Sequence, residues 1–262
     1  MLFSDNQACV YSKAPAMEVI CQLRFPTILS INSQDPVDFQ EQVRDVFPRY
    51  EAVCEQTPPK IKAVPGQPPV VEPQKPFVNH TFRSADGAWQ LNLSKDFISL
   101  STRSYLDWKS FAGRLDKPLA AFIKIYRPAY FERIGLRYIN AVSRRALQLE
   151  DRPWRDLIRP AYLGILAEED VRAEGVHKSA VDAEFALDSS CHAKIHAGPG
   201  LLKSKDPRLS TDNEQRFILD FDLFMTGNIT APLAAAGMET LHNHADALFQ
   251  GAITDELHEA ML

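Results

Sequence analysis

One apolar, arginine-bearing segment is written twice in this chain, and the repetition constrains the fold more than any composition figure. Glu18-Val-Ile-Cys-Gln-Leu-Arg-Phe25 carries a Glu, an Ile two residues on, and then Leu-Arg-aromatic. Glu132-Arg-Ile-Gly-Leu-Arg-Tyr-Ile-Asn140 repeats that outline half a chain later. Both stretches have the β-branched and aromatic content of strands. The match is imperfect: six residues separate Glu18 from Arg24 and five separate Glu132 from Arg137. A one-residue difference reverses side-chain facing unless a bulge absorbs it, and Gly135 is the natural place for one.

The segments downstream of the two copies are also alike. After the first, Asp35-Pro36 reads as a helix start, and Phe39, Val43, Val46, Phe47 and Tyr50 recur at helical spacing. Residues 55–76 hold seven of the eighteen prolines and read as an extended connection. Strands are expected at 77–83, 88–94 and 97–103, separated by turn residues, as in an antiparallel meander. Asp107 then caps a helix with Trp108, Phe111, Leu115, Leu119, Phe122 and Tyr126 on one face, and Pro118 predicts a kink or break near Asp116.

The second round repeats the order. A strand at 132–142 precedes a helix opened by Asp151 and Pro153, carrying Trp154, Leu157, Ile158, Tyr162 and Ile165. Alternation of Val181, Ala183, Phe185 and Leu187, then Cys191, Ala193, Ile195 and Ala197, then Phe217, Leu219, Phe221, Leu223 and Met225, gives three strands. A helix with Met238, Leu241, Ala245, Leu248 and Phe249 comes next, and Thr254 caps a last short one. The expected fold is α+β, two duplicated β-α-β-β-β-α units (1–128 and 129–262) fused in one structural domain. An antiparallel sheet covered by long helices, TBP-like or helix-grip-like, would satisfy the one-sided patterning.

Composition narrows function mainly by exclusion. The net charge of −5 comes without a Lys/Arg block, so a basic stripe for nucleic-acid phosphates is not visible. The opening residues lack a signal-peptide pattern, and no apolar run approaches a membrane-spanning length. Cys9, Cys21, Cys54 and Cys191 are scattered, which argues against disulfides and cysteine zinc sites and for a cytoplasmic chain with reduced thiols.

The pieces Tyr11-x-Lys13-Ala14-Pro15-x-x-Glu18-Val19, Trp108-x-x-Phe111 and Arg133-Ile-Gly-Leu-Arg-Tyr-Ile-Asn140 together resemble a sporadically distributed family of uncharacterised bacterial and archaeal proteins of about 250 residues. The resemblance spans nearly the whole chain, and the Leu-Arg-Tyr-Ile-Asn strand is its most specific part. It implies an accessory role of the kind mobile or defence-linked genes carry. It transfers no catalytic residue.

Candidate ligand-binding residues are Arg24, Arg137 and Asn140 on the motif strands, and Lys203, Lys205 and Arg208 in a long polar segment opened by Gly198-Pro199-Gly200. A strand arginine can fork onto a carboxylate or phosphate. The plainer reading is that Arg24 and Arg137 pair with Glu18, Glu132 or neighbouring strands to fix register. His192 and His196 share one strand face and, with Asp220 or Asp222, offer a weak N/O metal set. Cross-strand charge pairing on a solvated face is favoured over that metal. His242-Asn243-His244 lies in a helical pattern, where residues two apart diverge.

With no coherent catalytic constellation, the leading expectation is a non-catalytic protein that binds another protein or a small ligand held between sheet and helices. It has no expected cofactor and no membrane partner, and a homo-oligomer is compatible. The alternative is an enzyme or sensor acting on a phosphorylated or nucleotide-like ligand through Arg137, the His192/His196 face and the 198–208 segment. A third reading is RNA binding across the sheet, drawing on Trp89.

Overall fold

The strand-forming segments pair into one antiparallel sheet in the computed structural model, which describes residues 9–55, 60–62, 70–72, 77–202 and 213–262. Its first part contains β1 (Ala16–Arg24), the short helices α1 (Ser30–Ser33) and α2 (Val37–Val43), and β2 (Arg49–Glu55). A separate antiparallel pair, β3 (Lys60–Lys62) with β4 (Val70–Glu72), falls in the proline-rich stretch. The meander β5 (Phe77–Arg83), β6 (Trp89–Ser94) and β7 (Phe97–Thr102) then leads into the long helix α3 (Trp108–Tyr126). β8 (Phe131–Val142) opens the second part, succeeded by α4 (Arg144–Leu147), α5 (Trp154–Leu157) and α6 (Pro160–Leu163). β9 (Val181–Ala186), β10 (Cys191–Leu201) and β11 (Gln215–Ile229) form a second meander, closed by α7 (Ala231–Ala252) and α8 (Asp255–Met261).

The nine-stranded sheet runs β2-β5-β6-β7-β1-β8-β11-β10-β9. The two motif strands are therefore antiparallel neighbours at its centre, with Leu23 opposite Ile134 and Cys21 opposite Leu136. Each is flanked on its other side by the last strand of its own meander. The register shift falls between Ala16 and Glu18 on β1, and pairing runs unbroken across Gly135 on both sides. Gly135 is not a bulge. It lies beneath the guanidinium of Arg133, which would clash with any Cβ built there.

Period-two alternation sends one set of side chains to the helices and the other to the opposite face, which is buried at Thr81 and Ser99 of the first half and more exposed in the second. Val19, Cys21 and Leu23 of β1, and Ile134, Leu136 and Tyr138 of β8, are buried on the helix side. On α3, Phe122 packs against Phe25 and Phe131 at ring separations of 4.6 and 6.4 Å, and Phe111 meets Trp89 at 5.7 Å. α7 packs on β8 and β11, where Gly237 permits close approach to Met225 and Ile134. Each large apolar side chain sealed in this layer contributes about 1.5–3 kcal/mol. That total explains why α3 stays continuous through Pro118: the buried faces of Phe111, Leu115, Leu119 and Phe122 outweigh a proline cost of about 3 kcal/mol.

Elsewhere proline wins. The helix expected to run to Tyr50 stops at Val43, and a strand begins at Arg49, because Pro48 disfavours helical geometry at Phe47. Pro160 breaks the helix expected across 154–165: Arg159 is extended (φ −66°, ψ 147°) and Ile158 bridges to Ile253. Gly198-Pro199-Gly200 does not open a loop but continues β10, with Pro199 opposite Phe217. β9 pairs only as far as Ala197, so beyond it β10 is an edge strand that tolerates a residue with no N–H.

Local capping agrees with the sequence. Asp107 accepts from the Ser110 amide at 2.7 Å, and the Thr254 hydroxyl accepts from the Leu257 amide at 3.4 Å. All four cysteines are free thiols, and among the described residues no helix is long and apolar enough to cross a membrane.

Candidate functional site

The two sides of the central strands offer different chemistry, and the sequence candidates divide between them. Arg137 and Asn140 are three apart in β8, so the strand period sends them to opposite faces.

On the face away from the helices, the cations of the second half are matched to carboxylates. Arg137 Nε donates to Asp220 at 2.7 Å and a second nitrogen completes the fork. Arg133 Nη2 donates to both oxygens of Asp222 at 2.8 and 2.9 Å, with its guanidinium 4.6 Å over the Phe224 ring. Lys194 pairs with Glu184, and His196 Nδ1 with Asp182 at 2.8 Å. The Asp220 carboxylate holds the Arg137 guanidinium above its ordinary value. Arg137 is thus satisfied by its strand neighbour rather than by Glu18 or Glu132. Glu18 approaches Arg103 at 3.9 Å and acts on Arg137 only as the last and smallest of the charges that raise it. Arg24 is exposed, opposite Arg133 in register, and has no ion-pair partner among the described residues.

A shallow cleft of about 540 Å³ runs over these pairs. Its carboxylates (Asp182, Glu184, Asp220, Asp222) match or outnumber the cations facing them, so it offers little attraction to a phosphate. His192 stacks on Phe224 at 5.3 Å, and no metal-ligand group forms there among the described residues. Lys203, Lys205 and Arg208 lie outside the described residues. Trp89 faces the helices and packs on Phe111, so it offers no stacking platform to RNA on the opposite face.

The helix side holds a cavity of about 870 Å³. Its floor is Tyr138 and Asn140 of β8 with Phe221 of β11, all pointing inward by strand alternation. Its roof is one stripe of α7, where His242, Ala245, Asp246 and Phe249 fall at helical spacings of three and four. The start of α3 forms one wall and the segment 9–16 the other.

Polar groups converge on this aromatic lining. The Tyr138 hydroxyl lies 3.0 Å from His242 Nδ1 and 3.4 Å from the Tyr105 hydroxyl. Trp108 stacks on the His242 ring at 4.7 Å and 13°, and its indole N–H donates to Glu239. Asn140 donates from Nδ2 to the Leu219 carbonyl at 3.1 Å and is almost fully buried. Asp246 accepts from Gln250 Nε2 at 2.9 Å, and its charge weighs on the phenols of Tyr11, Tyr105 and Tyr138.

Burial sets the electrostatics. It raises Asp246 above its ordinary value, against the Gln250 hydrogen bond. It lowers His242, against the nearby Glu239. Burial raises Tyr105 to about 12 and pushes Tyr138 far above its ordinary value. Desolvation, not a specific charge partner, dominates each shift, which marks a dry binding wall more than a poised acid-base pair.

No protein-family model matches the chain, and no curated protein matches it.

Of this site, Asn140 and the outline of α7 are visible in the sequence. Tyr138, Tyr105, Trp108, His242 and Asp246 are missed there as one group, because they come from three separated segments. The available signal is that α7 carries His242 and Asp246 on its apolar stripe, where a soluble helix normally places neither.

Proposed function

We propose that this protein binds a small, part-aromatic molecule between its sheet and helices without transforming it. The observation that supports the reading best is the 870 Å³ cavity, whose size falls within the range of small-molecule sites. Aromatic walls would supply most of the contact area. Asn140, the Tyr138–His242 pair and Asp246 would fix orientation. We also propose that the two halves are repeats of one β-α-β-β-β-α unit. The sheet order supports this, since each motif strand lies between its twin and the last strand of its own meander. Superposing the halves of an experimental structure tests the repeat, and β1 and β8 landing on non-equivalent positions would refute it.

Native mass spectrometry of gently purified protein is the first test of binding, then thermal shift against a small-molecule library. Trp108 lines the cavity, so a true ligand should change its fluorescence, and Trp108→Phe should remove that signal. Tyr138→Phe should weaken binding about tenfold through loss of one buried hydrogen bond. A ligand that binds wild type, Tyr138→Phe and Asn140→Ala alike would place the site elsewhere.

A further inference from the structure

Outside the cavity, the tight turn between β9 and β10 meets the flank of α7. Asp188 and Cys191 come from the turn and His244 from the helix, and their ligand atoms lie within 4.8 Å of one another. His244 is two residues from His242, so one imidazole lines the cavity while the other faces this turn.

The carboxylate of Asp188 is pre-oriented. Its Oδ1 accepts from the Ser190 amide at 2.7 Å, the Ser190 hydroxyl at 2.9 Å and the Cys191 amide at 2.8 Å. Oδ2 is left to face His244 Nε2 at 3.7 Å. That gap is too long for a hydrogen bond. It is close to the roughly 3.4 Å that separates N and O ligands on a tetrahedral zinc with bonds of about 2.0–2.1 Å. The third member, Cys191, is fully buried, and its thiol meets the Ser190 hydroxyl at 3.8 Å and interacts with the Asp188 carboxylate itself. An ordinary turn explains the bonds to Oδ1. It does not explain why an imidazole from α7 and a buried thiol both come within 4.8 Å of this carboxylate.

We propose that Asp188, Cys191 and His244 form a binding site for a borderline divalent transition metal, with zinc the expected ion. Mixed sulfur, nitrogen and oxygen donors suit zinc and cobalt, whereas magnesium and calcium take oxygen shells. On binding, the Cys191 S–H bond is exchanged for a metal–sulfur bond and the proton leaves to solvent. Three protein ligands leave a fourth position to water, and Asp188 is exposed. The ion would tie the β9–β10 turn to the helix that roofs the cavity. It would do so away from His192 and His196.

Metal content of the purified protein and cobalt titration of chelator-treated protein test the site. One equivalent of Co²⁺ should produce a tetrahedral visible spectrum with a thiolate-to-cobalt charge-transfer band. Zn²⁺ at a hundredfold over its Kd should raise Tm by about 5 °C. Cys191→Ser should abolish the charge-transfer band, but that variant sits in the core and could fail to fold. His244→Gln and Asp188→Asn change partly exposed groups, and each should weaken Zn²⁺ binding at least tenfold. No cobalt spectrum and no Tm response in wild type would overturn the proposal, as would equal Zn²⁺ affinity in wild type and both surface variants.

Discussion

Replacing Gly135 by alanine would place a methyl group where the Arg133 guanidinium now lies, with Cζ only 2.8 Å from the new Cβ. The obstructing atoms end a flexible side chain, so the strand itself need not move. Arg133 swings away instead and loses what holds it. Its partly exposed pair with Asp222 is worth about 0.5–1 kcal/mol, and its position over Phe224 about the same. Against that loss of about 1–2 kcal/mol, alanine in a strand gains about 0.5–1 kcal/mol over glycine. Gly135→Ala should therefore destabilise by about 0.5–1 kcal/mol, read as a lower urea midpoint with unchanged m. In an Arg133→Ala background the obstruction is gone, and the same substitution should stabilise by about 0.5–1 kcal/mol. The double-mutant cycle isolates the coupling. Equal effects of Gly135→Ala in both backgrounds would refute the account.

Arg137→Ala should cost no more than about 1 kcal/mol, or some 2–4 °C in Tm, because its fork onto Asp220 is half-exposed. A loss above about 3 kcal/mol would mean the pair behaves as a buried one. His80 and His242 are both held below their ordinary value by burial, so the unfolded chain takes up protons first. Their contribution is complete above about pH 6.5 and is lost as pH falls through the folded values. His242→Asn should flatten the fall of Tm between pH 7 and 5, and an unchanged slope would count against this. Asp246 is shifted the other way, so its ionised form costs stability at neutral pH. Asp246→Asn should raise Tm at pH 7, with the gain shrinking as pH drops toward 4; a lower Tm at pH 7 would contradict it.

Strand alternation is legible wherever turn residues bound it, which is why the β5–β7 meander lies close to where the pattern puts it. Helical periodicity misleads wherever a proline's effect on the preceding residue outweighs it, at Pro48 and Pro160. The error runs in the other direction at Pro118, where buried aromatic contacts override the local rule and no sequence window contains them. The motif places Arg137 on a central strand, but its partner lies on β11, and pairing order is a tertiary fact. Tyr138 sits beside it in the sequence, and strand alternation sends it to the opposite, cavity-lining side.

One wall of the cavity is fastened by contacts that span almost the entire sequence. The Lys13 amide donates to the Met261 carbonyl, the Ser12 hydroxyl to the carbonyls of Met261 and Leu262, and Tyr11 meets His258 at 2.9 Å, 247 residues away. Closing a loop of that size carries an entropic cost that local hairpins avoid. The wall is thus expected to dock after the sheet and α7 have formed, and to be among the first parts to release when the native state fluctuates. Such release would open the cavity without unfolding the sheet, giving ligand a route in and out that depends on the breathing of one short segment. Amide exchange at Lys13, fast when the cavity is empty and slowed on filling it, would be the kinetic signature.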